Sequence, residues 1–340
     1  MSWGWAMPLH RVAVAGVLAT FTIVGLGWDG AEAARPPQKH HVKLAKVAKG
    51  KAGHKRVIHG PNYNPPYAAI VVDANSGQVL HEASADEPRH PASLTKIMTL
   101  YLLFEQIEAG KLTLETQLPI SAFAAGQNPT KLGLKPNQTL KVEDAIKGLV
   151  TKSANDAAVV IGEALAGTQA DFAKLMTQKA RALGMASTTY VNASGLPAEE
   201  QITTARDQAL LGRAIQDRFP GYYRYFSTPS FTYRGRHMGN HNALLGTVEG
   251  VDGIKTGYTE ASGYNLTCSV HRNGRFIVAV VLGGKSNAKR DARMRELITE
   301  NLPRGATQRT APVITETVVR DAASVEPVGA TQRSSLQEAR

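Results

Sequence analysis

The sequence has little cysteine: Cys268 is the only one among 340 residues. A disulfide within one chain is therefore excluded, although secreted proteins often contain them. Cys268 lies in the apolar run Leu266 to Val270, which predicts a small side chain buried in the core. The length of the chain is sufficient for a substantial core.

Long apolar runs are also missing. The longest, Val12 to Leu26, follows Arg11 and is shorter than the roughly 18 residues expected of a spanning helix. Small residues at Ala31 and Ala33 follow it, so residues 1–33 are predicted to be a secretory signal peptide. An uncleaved anchor is the less favoured alternative. We therefore expect an exported protein of the periplasm or cell envelope.

Acidic residues are absent from positions 35–60, and this stretch explains most of the formal charge of +11. Eight basic residues there contribute +8 and leave +3 elsewhere: Arg35, Lys39, Lys43, Lys46, Lys49, Lys51, Lys55 and Arg56. Few large apolar groups accompany them, so residues 34–62 are predicted to be a disordered linker. Weak contact with an anionic envelope surface and a purely solvated spacer both remain open. Nucleic-acid binding is not supported once this charge is set aside.

No His-Glu-x-x-His pattern or comparable ligand cluster occurs, which argues against a metallopeptidase. We interpret His40, His41 and His54 as part of the polar composition of the linker, not as metal ligands. We expect neither a metal nor another cofactor.

Alternating turn signals and apolar runs predict the fold. Ala68–Asp73 with Gln78–Glu82, and Tyr264–Val270 with Phe276–Leu282, are typical of two hairpins. Helical segments lie between the hairpins, and a closing helix follows the second: Lys141–Leu149, Asn155–Ala166, Gln169–Leu183, Ala205–Ile215 and Asn287–Asn301. This order predicts an α/β fold of the α+β type, an antiparallel sheet flanked by helices with an inserted, mainly helical subdomain. We expect a catalytic domain at residues 63–302, the subdomain at about 111–240, and a flexible tail at 303–340.

A serine and a lysine stand three residues apart in Pro91-Ala-Ser-Leu-Thr-Lys-Ile-Met-Thr99, where a long apolar helix begins. Residues at i and i+3 share one helical face, so Ser93 and Lys96 would lie side by side. A nucleophile and its base are one interpretation. A serine that caps the helix is the other, and by itself the motif favours the cap.

Two further triplets follow in order. Ser153-x-Asn155 opens a helical segment, and Lys255-Thr256-Gly257 precedes the last strands. Together with Ser93-x-x-Lys96 they form the set shared by penicillin-binding proteins and serine β-lactamases. Longer stretches, including Asp252 to Leu266, resemble the low-molecular-mass serine D-Ala-D-Ala carboxypeptidases over about residues 63–302.

The resemblance implies a role for each residue of the three triplets. Ser93 would be the nucleophile, Lys96 its base, and Ser153 a relay that carries a proton to the leaving amine. Asn155 would hold the acyl side of the substrate. Lys255 would be a second cation that pushes the buried Lys96 amine towards its neutral form.

The resemblance also implies where charge is stabilised. The backbone N–H groups of Ser93 and Tyr258 would bind the oxyanion, and Gly257 would allow a close backbone approach. Thr256 and Arg290 would bind the free carboxylate of the terminal D-Ala, since an arginine fork suits a carboxylate. A plain surface position on the closing helix is the alternative for Arg290.

The activity so implied removes the terminal D-Ala from peptidoglycan stem pentapeptides and is blocked when β-lactam antibiotics acylate Ser93. A D,D-endopeptidase, a serine β-lactamase of the same fold and a catalytically inert envelope-binding protein are the alternatives. A β-lactamase needs a glutamate-held water. Glu163 falls in the middle of a predicted helix, and Glu199-Glu200 lacks the Leu-Asn context of that glutamate. Relatives often continue into a C-terminal amphipathic anchor, whereas only a short polar tail follows here.

Overall fold

The computed structural model describes residues 64–317. The strands of this part of the chain are β1 (Ala68–Asp73), β2 (Val79–Ala83), β3 (Gln117–Pro119), β4 (Thr139–Lys141), β5 (Ser230–Tyr233), β6 (Arg236–Gly239), β7 (Val251–Thr259), β8 (Gly263–Arg272) and β9 (Arg275–Gly284). Five of them form one antiparallel sheet in the order β2-β1-β9-β8-β7. Both ends of the described chain thus contribute strands to the same sheet, as the sequence predicted.

Helices account for most of the remaining secondary structure. They are α1 (Thr95–Glu108), α2 (Ala122–Ala125), α3 (Val142–Val150), α4 (Asn155–Ala166), α5 (Gln169–Ala182), α6 (Ala205–Arg218), α7 (Pro220–Tyr223) and α8 (Asn287–Asn301). No helix within residues 64–317 combines the length and the apolar character needed to cross a bilayer.

The sheet is covered on both faces, which explains why β1, β8 and β9 are almost entirely buried. Successive side chains of a strand point to opposite faces. On β1, Ala69 and Val71 join the core formed with α8, whereas Ile70 joins the larger core that includes α1 and α6. Cys268 of β8 is fully buried on the α8 side, which confirms its predicted place in the core.

The insertion between β2 and β7 is mainly helical, but one of its helices, α6, packs directly on the five-stranded sheet. Helix α6 packs so closely on the sheet that a β-carbon on Gly212 would lie 3.1 Å from side-chain atoms of Ile254 and Val278. The segment predicted at about residues 111–240 therefore supplies one covering helix of the sheet in addition to its own helices.

The predicted hairpins and helices are confirmed, with shifts of a few residues at their ends. One assignment was wrong: Lys255, Thr256 and Gly257 do not precede the last strands but lie inside β7, paired with β8. Glycine, lysine and threonine dilute the apolar pattern of β7, so its strand character was missed. The two-stranded pairs β3–β4 and β5–β6 were also not predicted.

The flexible tail predicted from residue 303 is wrong for its first part. Arg309 pairs with Asp217 through two hydrogen bonds of 2.7 and 2.8 Å, and the backbone N–H of Ala311 donates to Asn75. Glu316 reaches Lys179 of α5. Residues 305–317 therefore lie against the domain. Residues 318–340, the predicted signal peptide and the basic linker up to residue 62 lie outside the described residues.

Candidate active site

Ser93 lies in a single 3-10 turn, Ala92–Leu94, immediately before α1. Leu94 is the N-cap of α1, and no side chain of the described part of the chain forms a capping hydrogen bond there. The hydroxyl oxygen of Ser93 instead lies 3.0 Å from the Lys96 Nζ. The cap interpretation is therefore wrong for this serine, and the hydroxyl is adjacent to an amine.

Lys96 is fully buried, and among the described residues its Nζ lies within hydrogen-bonding distance of three polar groups. Its Nζ donates to Asn155 Oδ1 at 2.8 Å and to the backbone carbonyl of Ser194. Both of these partners can only accept, whereas the third neighbour, the Ser93 hydroxyl, can also donate. A neutral amine has two N–H groups and one lone pair, so this environment suits a neutral Lys96 with its lone pair towards Ser93.

Electrostatics favour the same form. Burial lowers the pKa of Lys96 well below its usual value, and the positive charge of Lys255 lowers it further, against the opposing effect of Asp156. Burial, followed by the charge of Arg290, lowers the pKa of Lys255 itself to about 7. The predicted relationship between the two lysines is therefore present, with Arg290 as a third member of the cationic group.

The Ser153 segment connects α3 to α4 and holds a strained backbone, since Ser153 has a φ of +59°. Its side chain is buried, lines the cavity beside Ser93, and has no hydrogen-bond partner for Oγ among the described residues. A buried hydroxyl without a partner is costly. Such a group is available to a ligand.

Asn155 is the first residue of α4, and its side chain is engaged at both ends. Oδ1 accepts from Lys96, and Nδ2 donates to the carbonyl of Asn128 at 2.9 Å. The side chain therefore orients the lysine and also forms part of the cavity wall. Its contact with the acyl side of a substrate stays a prediction.

Asp156, next to Asn155, fixes the neighbouring loop. Its fully buried carboxylate accepts from the backbone N–H groups of Leu132, Gly133 and Leu134 at 2.9 to 3.1 Å. Three charge-assisted hydrogen bonds hold this loop against α4. Asp156 was not among the site residues predicted from the sequence.

Strand β7 passes close to the 3-10 turn of Ser93. A β-carbon on Gly257 would lie 3.0 Å from the backbone nitrogen of Ser93 and 3.1 Å from the carbonyl oxygen of Pro91. Glycine at 257 thus permits the close approach that the sequence predicted. Tyr258 follows; its ring is 55% exposed and packs on Tyr264 with centroids 4.3 Å apart.

Arg290 is buried, not a surface residue of α8. Its Nε and Nη2 donate to Asp291 Oδ1 at 2.9 and 2.7 Å, and Nη1 lies 3.4 Å from the carbonyl of Asn265. The guanidinium is therefore oriented by a carboxylate of its own chain. It still lines the cavity, so its predicted contact with a substrate carboxylate stays a prediction.

Asn265 of β8 positions the segment that leads into Ser93. Its Nδ2 donates to the carbonyl groups of His90 and Pro91 at 3.0 and 3.2 Å, and its Oδ1 accepts from the N–H of Gly283. This buried amide ties the nucleophile segment to the sheet. A polar residue inside the apolar run Tyr264–Val270 was the sequence signal that could have revealed it.

A cavity of about 1170 Å³ lies between the sheet and the helical part, and most of the predicted site residues meet there. Those that line it are Ser93, Ser153, Asn155, Thr256, Gly257, Tyr258 and Arg290. Lys96 and Lys255 are buried in the protein and do not line the cavity themselves. Within residues 64–317, no group of His, Cys, Asp or Glu side chains is placed to hold a metal ion.

His241 also lines the cavity and was missed by the sequence analysis. Burial and the positive charge of Lys255 lower the pKa of its imidazole to about 4, with smaller contributions from Lys152, Arg290 and Lys96. The two sequence neighbours of His241 fix its backbone. The Asn240 side chain donates to the carbonyl of Thr228, and the Asn242 side chain donates to the carbonyl of Gly253. His241 lies outside the three triplets, so no motif pointed to it.

Known carboxypeptidases resemble this chain in sequence. D-alanyl-D-alanine carboxypeptidase DacA of Escherichia coli K12 is 39% identical over 254 residues, 72% of this chain and 62% of that protein. DacF of Bacillus subtilis 168 is 31% identical over 68% of this chain and 60% of its own length. The chain thus spans somewhat less than two thirds of these relatives.

Solved structures show the same fold. Penicillin-binding protein 5 from Haemophilus influenzae matches with a TM-score of 0.68 and 29% identity over 72% of this chain and 73% of that one. Penicillin-binding protein D2 from Listeria monocytogenes, in its ampicillin-bound form, matches with a TM-score of 0.60 and 33% identity over 68% and 95%. The model of the D-alanyl-D-alanine carboxypeptidase family, peptidase S11, matches residues 63–286. The chain belongs to this family of serine peptidases.

Proposed function

We propose that the protein is a serine-type D-Ala-D-Ala carboxypeptidase that removes the terminal D-Ala from peptidoglycan stem pentapeptides. The observation that carries this proposal is that the Ser93 hydroxyl lies 3.0 Å from the amine of the fully buried Lys96. Burial and the charge of Lys255 hold the pKa of this amine well below its usual value. A serine hydroxyl needs such a neighbouring base to act as a nucleophile.

In the acylation step, Lys96 takes the Ser93 proton while Oγ attacks the carbonyl carbon of the penultimate D-Ala. The backbone N–H groups of Ser93 and Tyr258 stabilise the oxyanion, and the close contact at Gly257 supports this pairing. The peptide C–N bond then breaks, and Ser153 passes a proton to the departing amine of D-Ala. The Ser153 Oγ lies on the cavity wall without a hydrogen-bond partner among residues 64–317, which supports that role. Water hydrolyses the acyl-enzyme ester and restores Ser93.

The carboxylate of the departing D-Ala is bound at the cationic end of the cavity. Thr256 and Arg290 contact it, and Lys255, buried behind the cavity wall, adds a positive charge. Asn155 contacts the acyl portion of the substrate while it also orients Lys96. Charge-assisted contacts of this kind explain a requirement for a free terminal carboxylate.

β-Lactam antibiotics acylate the same serine in this proposal and act as covalent inhibitors. The similarity to penicillin-binding protein D2, whose structure contains ampicillin, supports this point. We further propose that residues 1–33 direct export to the periplasm or cell envelope. The basic linker at 34–62 then adds weak contact with an anionic envelope surface.

The direct test incubates the purified protein with a stem pentapeptide and identifies the product by mass. We expect the loss of one alanine, and no loss with Ser93→Ala. Cleavage of cross-linked dimers instead would identify the endopeptidase alternative. An intact pentapeptide with a folded, penicillin-acylated protein would refute the carboxypeptidase.

The fate of the penicillin adduct distinguishes the β-lactamase alternative. Glu163 lies in the interior of α4 and does not line the cavity, whereas Glu199 and Glu200 do. We expect a long-lived adduct on Ser93. Its lifetime is measured by mass spectrometry of the intact protein. Release of the adduct within seconds would favour the β-lactamase alternative.

A further inference from the structure

The amine of Lys96 is held by a loop to which the mechanism above gives no role. This loop comprises residues 192–196 and lies between α5 and α6. Its Ser194 is 1% exposed, and the Ser194 carbonyl accepts from the Lys96 Nζ. In a neutral amine, this carbonyl and Asn155 Oδ1 accept the two N–H groups, which leaves the lone pair for Ser93. The position of the Ser194 carbonyl therefore helps to orient the base.

Asn192 organises the loop from its first position. Its Oδ1 accepts from the backbone N–H groups of Ser194, Gly195 and Leu196 at 3.2, 2.8 and 3.1 Å. Its Nδ2 donates to the carbonyl of Leu196 at 3.0 Å. One amide side chain therefore closes the loop on itself, and without it three backbone donors would lose their shared acceptor.

The loop is also pressed against the turn that carries the nucleophile. Gly195 has a φ of +84°, and a β-carbon on it would collide with the carbonyl oxygen of Ala92. The carbonyl of Ala193 accepts from Thr99 Oγ1 at 2.7 Å. Thr99 follows Lys96 by three residues on α1, so neighbouring side chains of one helical face hold two consecutive carbonyls of the loop.

A second amide, that of the buried Gln201, fixes the outer ends of the loop. Its Oε1 accepts from the N–H groups of Val191 and Asn192 at 3.0 and 3.1 Å, and its Nε2 donates to the carbonyl of Leu196 at 3.2 Å. Of the two amides, Asn192 is the one that contacts the residue whose carbonyl reaches Lys96. The control of that carbonyl therefore falls to Asn192.

We propose that Asn192 is a positioning residue for the base: it holds the Ser194 carbonyl on Lys96 and so directs the lone pair of the amine towards Ser93. This inference rests on the carboxypeptidase function proposed above and adds a residue to its acylation step. Asn192 does not line the cavity, so it acts through the loop and not on the ligand.

The chemistry of acylation shows what this positioning contributes. The Ser93 proton moves to the Lys96 Nζ while the Oγ forms its bond to the carbonyl carbon of the ligand. The resulting ammonium keeps the Ser194 carbonyl as an acceptor, so the same carbonyl serves the amine before and after the proton transfer. Loss of this arrangement should slow acylation more than it weakens ligand binding.

The test measures acylation of the full chain by a fluorescent penicillin at several concentrations. This series separates the acylation rate constant from the half-saturation concentration. Asn192→Ala should lower the rate constant about 10- to 100-fold and change the half-saturation concentration less than about twofold, since a misplacement of about 1 Å costs on the order of 100-fold in rate. Asn192→Asp keeps an oxygen for the three N–H groups and should restore most of the rate constant.

Asn301→Ala is the matched control. The Asn301 side chain is 2% exposed, donates to the carbonyl of Leu297 at 2.9 Å and does not line the cavity. This variant should lose stability in urea denaturation and keep the wild-type rate constant. If Asn192→Ala does not fold, Asn192→Ser replaces it, because the shorter hydroxyl keeps one acceptor. Its rate constant should lie below those of the wild type and of Asn192→Asp.

A wild-type rate constant in Asn192→Ala, or in the Asn192→Ser variant that replaces it, would overturn the positioning role. A loss that Asn192→Asp does not reverse would also overturn it, as would an effect confined to the half-saturation concentration. A wild type that is neither acylated nor able to cleave the stem pentapeptide would instead refute the carboxypeptidase function itself, which is a distinct result.

Discussion

The backbones of Gly257 and Ser93 approach so closely that a β-carbon on residue 257 would lie 3.0 Å from the Ser93 nitrogen. This contact joins β7 to the turn that carries the nucleophile. The same backbone pair supplies one proposed oxyanion donor directly and the other through the adjacent Tyr258. In the proposed mechanism, the position of the oxyanion donors therefore depends on a contact between two backbone segments of the chain.

Gly257→Ala should separate the two backbones. The atoms that a new methyl group meets belong mostly to backbone, which cannot move aside cheaply. Contacts of 3.0 to 3.2 Å require a shift of a few tenths of an ångström. Since a misplacement of about 1 Å costs on the order of 100-fold in rate, kcat/KM and the rate of penicillin acylation should fall together by less than about 100-fold. Gly221→Ala, which meets no atom within 4 Å, is the control and should retain full activity. Wild-type acylation by Gly257→Ala would show that the contact is not required.

Ser153→Ala should separate activity from stability. The Oγ that it removes is buried and has no partner among the described residues. The free energy of unfolding should therefore stay the same or rise by about 1 kcal/mol in urea denaturation. Turnover should fall on the order of 100-fold or more if Ser153 delivers the proton to the leaving amine. A destabilised variant with normal kcat would contradict both expectations.

Lys255 should make stability depend on pH. Its pKa is about 7 in the folded protein, against the ordinary lysine pKa of 10.5, so the unfolded state binds more protons between these limits. Stability then rises with pH across this window, with a slope of up to about 1.4 kcal/mol per unit.

Lys255→Met should remove that slope. The difference in unfolding free energy between wild type and Lys255→Met, measured by urea denaturation at several pH values, isolates the contribution of this lysine from other titrating groups. The variant should gain most at neutral and acidic pH, where the wild type buries a cation. A difference that is constant from pH 7 to 10 would contradict the depressed pKa.

Arg290→Ala should destabilise the fold as well as weaken substrate binding. It leaves the Asp291 carboxylate, whose side chain is only 10% exposed, without its ion-pair partner. Breaking a buried pair in this way costs about 3–5 kcal/mol. The double variant Arg290→Leu/Asp291→Asn should recover most of that stability.

Substrate binding by Arg290 is then measured in the stable double variant. If Arg290 contacts the terminal carboxylate, KM for a D-Ala-D-Ala peptide should rise, while KM for the same peptide with an amidated C-terminus should stay unchanged. An equal effect on both peptides would assign Arg290 a purely structural role.

Local pattern was sufficient for most secondary structure. The Asn273-Gly274 turn between two apolar runs predicted the β8–β9 hairpin, and the periodic segment after Ser286 predicted α8 with the observed bounds. Strand β7 was not predicted because its proposed site residues, Lys255, Thr256 and Gly257, occupy positions where a strand usually has apolar residues. The contacts of residues 305–317 were not predicted because they are hydrogen bonds and ion pairs to residues distant in the sequence, which leave no periodic signal.

The sequence by itself determined which reactive groups are present and that Ser93 and Lys96, three residues apart at a helix start, are neighbours. It also determined, through the three ordered triplets, the family to which the chain belongs. Only the tertiary structure decided that Lys96 is fully buried, that Lys255 lies near enough to lower its pKa, and that Asp291 occupies the fork of Arg290. The physical reason is that the protonation state of an amine depends on water exclusion and on charges contributed by separate elements. Those elements meet only when the sheet and the helices pack together.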